Sequence, residues 1–153
     1  MPGAATARAW SSSSIPRITR PPAVFANAAT SAADVLGDVA GAEEHVLLGA
    51  IEAGLLTGLV TEPGPGRIRF AHVLVRDSLY HGLSRLRRSR LHARAGEAIE
   101  RHSPGQVAAL AYHFAEAGTD PIKAARHCRL AAGQAEQRFA YHEAARLWEQ
   151  AIA

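Results

Sequence analysis

"GLVTEPGPGRIRFAHVLVRDSLY", residues 58–80, decides the fold. Two short β-like runs flank the turn Pro63–Gly66. Proline fixes its own φ there and glycine supplies positive φ, so the natural reading is a hairpin. Beyond Phe70 the apolar spacing lengthens from two to three or four residues. A helix is expected near 71–82, with His72, Val75 and Leu79 on one face. His72 therefore falls at a strand-to-helix junction with apolar neighbours.

Upstream of the hairpin two helices are expected. Ser31 can cap a short one running to Val39, with Asp34 in its first turn and Gly41 as the stop. The second, about 43–56, places Leu47, Leu48, Ile51 and Leu55 along one stripe. Helix, helix, hairpin is the order of a winged helix. Downstream, Ser84 can cap a helix over about 85–101 that faces inward with Leu91, Ala95, Ala98 and Ile99. Ser103–Pro104 reads as another start, because proline at the first helical position loses no needed N–H. That helix would carry Val107, Leu110, Ala111 and Phe114 inward and end at Gly118. Asp120–Pro121 repeats the start signal for a helix to about Arg138, and "YHEAARLWEQAIA" begins a last helix that reaches the end of the chain.

Alanine-faced helices of this kind suit stacked helical hairpins, since small residues permit close approach. "KAARHCRLAA" and "EAARLWEQAI" share a pattern at a 20-residue offset, which is not the tetratricopeptide period. The expected fold is mainly α: a partial winged helix with one small β-hairpin over 31–83, then a linker helix and tetratricopeptide-like hairpins over 84–153. The first 30 residues, with four consecutive serines, Pro16 and Pro21–Pro22, have neither helical nor strand periodicity and read as disordered. Being Arg- and Ser-rich without acids, they also resemble an organelle leader, although a misassigned start fits them better.

Composition bounds the function. Of the 17 basic residues all but Lys123 are arginine, and the net charge is +3. Charge is segregated. Residues 1–33 hold Arg8, Arg17 and Arg20 and no acid, and residues 34–66 hold six acids and no base. Residues 67–94 hold eight arginines against Asp77. An acidic block followed by a basic one reads first as internal complementarity and second as a polyanion site. No apolar run of about 18 residues is present, so no membrane span is expected. Cys128 is the single cysteine, which leaves no internal disulfide or cysteine pair for zinc; a reducing cytoplasm is the expected location.

"GLVTEPGPGRIRFAHVLVRDSLYHGLSRLRRSRLHARAGEAIE" resembles a segment of the bacterial signal-transduction ATPases called STAND proteins. These include large LuxR-type transcriptional regulators and ATPase modules found beside nucleotide cyclases. In that family a nucleotide-binding domain precedes a winged helix and tetratricopeptide-like repeats. "RFAHVLVRDSLY" and "RRSRLHARAGEAIE" match the end of the winged helix and the linker helix, "AYHEAARLWEQAI" is similar to the repeats, and the likeness covers about 34–153. It implies a regulatory, protein-interacting role and ATP or ADP as the nucleotide of the full-length relatives. Yet no G-x-x-x-x-G-K-S/T run occurs, and "EPGPGR" lacks the lysine that would meet a triphosphate. Residues 1–30 do not supply the apolar first helix of a winged domain either. The chain reads as a severed or complemented C-terminal piece, with no cofactor of its own and no expected ATP hydrolysis.

The resemblance assigns His72 a role: a winged-helix histidine at this junction reaches the β-phosphate of ADP in related ATPases. The motif there is Met-His-Asp, whereas here it is Ala71–His72–Val73. The other reading of His72 is a buried histidine bonded to backbone. Arg85, Arg87, Arg88, Arg90 and Arg94 could hold phosphate or DNA, or could form a solvated face docked on the acidic block. Against DNA, the helix before the hairpin carries Glu43, Glu44 and Glu52. The eight histidines make no H-E-x-x-H pair, and His113, His127 and His142 fall on separate expected helices, so no metal site is read. Ser78, Ser84 and Cys128 lack the context of a nucleophile. Tyr80, Phe114, Phe139 and Trp148 read as packing residues. Leu147, Trp148 and Ile152 form an apolar face on the last helix that predicts self-association or a partner helix.

Overall fold

A computed structural model describes residues 30–152. The stretch expected to be disordered, and the leader-like reading of it, lie outside the described residues, except that Thr30 opens a strand. In chain order the elements are β1 (Thr30–Ala32), α1 (Ala33–Ala40), α2 (Glu44–Leu56), β2 (Val60–Gly64), β3 (Arg67–Phe70), α3 (Val73–Gly82), α4 (Arg85–His102), α5 (Val107–Ala117), α6 (Pro121–Gln137) and α7 (Tyr141–Ile152). The fold is mainly α with a small β-hairpin, as the periodicity predicts.

The hairpin joins β2 to β3 with Val60 opposite Phe70, and its register breaks between Thr61 and Gly64. Gly66 takes φ 64°, and its N–H donates to Glu62 Oε1 at 3.0 Å, which fixes the turn. The sequence reading missed a third strand. β1 lies antiparallel on the far side of β3, with Ser31 opposite Ile68, so the sheet order is β1-β3-β2. Ser31 therefore does not cap α1; Ala32 stands at that N-cap with no side-chain bond. The ladder of β1 with β3 runs through Ala32, so α1 starts one residue later than the sequence reading expects. Gly41 ends α1 as expected, left-handed at φ 61° with its N–H on Gly37 O.

α4 to α7 form an array in which each helix packs against the next. Two cores run through it. Val35, Ala98, Ile99, Leu110 and Phe114 join α1, α4 and α5. Ala111, Cys128, Ala132, Ala144 and Leu147 join α5, α6 and α7. Small residues set the spacing: a Cβ added at Gly96 would stand 2.8 Å from the Phe114 ring. Ser84 caps α4 through Arg87 N–H, and Asp120 caps α6 through Lys123 N–H with Pro121 at the first position.

The expected start at Ser103–Pro104 is corrected. Ser103 ends α4, its N–H on Ile99 O at 2.7 Å, and α5 begins at Val107 after Gln106. Pro-Gly makes a turn here because the serine's N–H is already spent on the preceding helix. Leu147 is also corrected: it is buried at 2% exposure, so the uncovered face of α7 reduces to Trp148 and Ile152. Phe139 is not a packing residue; it is 77% exposed and edge-on to Tyr141.

The first half is thinner. Neither α2 nor α3 has a fully buried residue. Leu47, Ile51 and Leu55 of the predicted stripe are half-buried, while Leu48 is exposed. Between α1, α2 and the sheet lies an open apolar groove of about 240 Å³ lined by Leu36, Ile51, Val60, Ile68 and Phe70. On α3 the inward face is also rotated from expectation. Val75, Arg76, Tyr80 and Leu83 are the shielded positions, and His72 and Leu79 are exposed. The cause is Tyr80, which reaches from α3 into the helical array.

Candidate functional site

Four rings from three helices meet where α3 joins the array. The Tyr80 hydroxyl lies 3.0 Å from His92 Nε2, and His92 Nδ1 lies 3.1 Å from His113 Nδ1. Tyr112 stands edge-on to His92, with ring centroids 5.4 Å apart. It also shares a hydrogen bond with Tyr80. Two facing ring nitrogens at that separation hold one proton between them, so one imidazole donates and the other accepts. That leaves both imidazoles neutral. Burial pushes both histidines down to about 4, with Arg88 adding to the effect at His92 and His92 at His113. Burial likewise raises both tyrosines.

Arg88 secures the same joint. Its guanidinium lies 5.2 Å from the Tyr80 ring centroid. It donates to Leu83 O at 3.1 Å and Tyr80 O at 3.4 Å, the closing carbonyls of α3. Ser89 Oγ donates to Ala117 O at 2.5 Å and ties α4 to the end of α5. Chemically the cluster is a positioning device. It ties three helices together through hydrogen-bonded rings, and burial keeps both imidazoles from charging at neutral pH.

The basic helix divides by function. Arg94 donates to Asp38 O at 3.1 Å, and Arg101 and His102 reach the Asp38 carboxylate at 3.1 and 2.7 Å, so α4 docks on α1 through polar side chains that converge on Asp38. Arg88 serves the joint. Arg85, Arg87 and Arg90 remain exposed on α4. His72 stands exposed at the N-cap of α3 with extended backbone and no side-chain capping bond. The alternative of a buried histidine bonded to backbone does not hold for it.

His113 enters the joint, and His142 is exposed. His127 is buried and stacked on Phe114, its Nε2 3.5 Å from Glu100, which in turn holds Lys123 at 2.6 Å. The Lys123 hydrogen bond lowers the Glu100 carboxyl, and burial lowers the His127 imidazole and raises the Cys128 thiol. Among the described residues no group of three or more His, Cys, Asp or Glu side chains converges as a metal site, and no helix is long and apolar enough to cross a membrane. Sequence reasoning missed the His92–His113 pair. The available signal was His92 sharing a face with Ala95 and Ile99, and His113 standing beside Phe114. Compared with protein-family models, curated proteins and solved structures, the chain matches none of them.

Proposed function

We propose that this chain is a non-catalytic regulatory and interaction module, a lever and platform that relays the state of a nucleotide-binding domain or scaffolds a protein partner. The observation that carries the reading is its two-part build. An alanine-packed array of consecutive helices is joined to a strand-helix-helix-hairpin unit by the α1–α4 contact and the Tyr80–His92–His113 joint. An array supplies a surface, and a hinge between two units supplies a way to couple them. In this reading His72 is the nucleotide-sensing group, its exposure leaving the imidazole free to meet a phosphate brought by another domain.

The test is nucleotide turnover and association. The purified chain is expected to leave ATP intact. It is expected to associate with a separately expressed nucleotide-binding domain of a STAND relative in an ADP-dependent way that His72→Ala weakens. ATP turnover by the chain itself, or association with neither the ADP nor the ATP form, sinks the reading.

Exposed Arg85, Arg87 and Arg90 favour a second reading as a DNA-binding module. Each arginine on a phosphate adds salt-sensitive affinity. Filter binding with duplex DNA at low salt decides it: retention lost on the triple Arg→Ala variant supports it, and no retention removes it.

A further inference from the structure

A polar cavity of about 480 Å³ opens where the end of α3, the first two turns of α4 and the end of α5 meet. Tyr80, Arg85, Arg88, Ser89 and Glu116 line it. Its volume suits a small molecule, whose recognition rests on a few polar groups that the fold holds in place. The walls are tied together: Ser89 Oγ donates to Ala117 O, and Arg88 Nη1 donates to the carbonyls of Tyr80 and Leu83.

The charges around this cavity are not spent on one another. Among the described residues, Arg85 and Glu116 make no ion pair and no side-chain hydrogen bond. Arg88 engages only Nη1, which leaves Nε and Nη2 able to donate. Burial raises the Tyr80 phenol, Glu116 raises it further and Arg88 lowers it, so charges of both signs act on one spot. A concave wall focuses such fields more than a flat surface does. An anion alone would be drawn by the arginines and repelled by Glu116, and an amine alone would meet the reverse. All three groups are satisfied by one molecule that carries both charges, with the negative in excess. We infer that the cavity binds a small molecule joining a carboxylate or phosphate to a primary ammonium, with Arg85 and Arg88 on the anion and Glu116 on the ammonium. Guanidinium bonds to such anions are charge-assisted and can be bidentate, which supplies the strong contacts. The lining comes wholly from this chain, so the site operates with or without a nucleotide-binding domain. Tyr80 belongs both to the cavity and to the His92–His113 joint, so an occupant braces α3 against the array.

Titration of the full chain followed by amide NMR tests this. The probes are L-glutamate and O-phosphoethanolamine, each beside its ammonium-free counterpart, glutarate or ethyl phosphate. At least one ammonium-bearing probe is expected to bind at millimolar concentration or below, and its counterpart several-fold more weakly. The tighter of the two probes identifies the anion as carboxylate or phosphate. The amides of Ser89 and Gly118 are expected to shift, and those of Glu149 and Gln150 on α7 to stay. Glu116→Gln is expected to erase the preference for the ammonium, and Arg85→Ala to weaken probe and counterpart alike; both side chains are exposed, so both variants should fold. No binding of either ammonium-bearing probe overturns the inference, as do equal affinities for probe and counterpart. Shifts that spread over α7, a preference that survives Glu116→Gln, or unchanged affinity in Arg85→Ala overturn it as well.

Discussion

A single proton held between His92 and His113 ties the α3 joint to acidity. Both imidazoles stand near 4 in the folded protein against an ordinary value of 6.5. The unfolded chain therefore binds more protons than the folded one between those values. Stability is full near neutrality and falls as the pH drops from about 6.5 to about 4, by up to about 1.4 kcal/mol per pH unit for each histidine. Denaturant midpoints measured from pH 7.5 to 4 check this; a flat profile, or one that rises toward acid, contradicts it. Tyr80→Phe keeps the ring under Arg88 but removes the hydroxyl from His92 Nε2. It is expected to cost about 1 kcal/mol by chemical denaturation. It should leave His92 depressed, since burial and then the nearby Arg88 are the causes of that depression.

Among elements, the α4–α5 crossing turns on one glycine and one aromatic ring. Phe114 fills the space that Gly96 leaves open, at 4% exposure. Phe114→Ala is expected to cost about 3–5 kcal/mol, and Gly96→Val to destabilise too, because its branched side chain meets the ring before any gain in helix propensity is felt; thermal melts measure both. The termini of these elements were legible in sequence where chemistry is local. Ser84, Asp120–Pro121, Gly41 and Gly118 cap as read, since a cap depends on residues three or four apart. Ser31 and Ser103 were misread because their backbone partners lie in another strand and in the preceding helix. The same reason hid β1: three residues without alternation carry no strand signal until β3 is beside them. The face of α3 went astray by about one position, because it is set by Tyr80 meeting His92 on another helix, a pairing that no spacing along one helix can announce.

Across the whole molecule the two halves differ in how well they are held. The array from α4 to α7 holds one core whole and most of the other, which Val35 of α1 completes, whereas α2 and α3 contribute no fully buried residue. Amides of α2 are expected to exchange with solvent at least about tenfold faster than those in the middle of α4 and α6. Hydrogen exchange followed by mass spectrometry resolves this, and uniform protection would show that the halves open together. The charge pattern in the sequence pointed to the right pair of elements but not to the right partners: the Asp38 carboxylate meets Arg101 and His102, beyond the basic block, while Arg94 bonds the Asp38 backbone carbonyl. It could not foretell that Arg88 would instead close α3, because guanidinium-to-carbonyl bonding depends on where a chain end falls.

The docking of α1 on α4 passes over Gly41, where a Cβ would lie 2.5 Å from the Arg94 guanidinium and the backbone is left-handed. Position 41 is thus restricted chiefly by its torsion, since the Arg94 guanidinium is the end of a flexible side chain and can swing aside at the cost of its bond to Asp38 O. In a saturation library sorted for folded protein, this codon should favour glycine, followed by asparagine and aspartate, which tolerate the left-handed backbone.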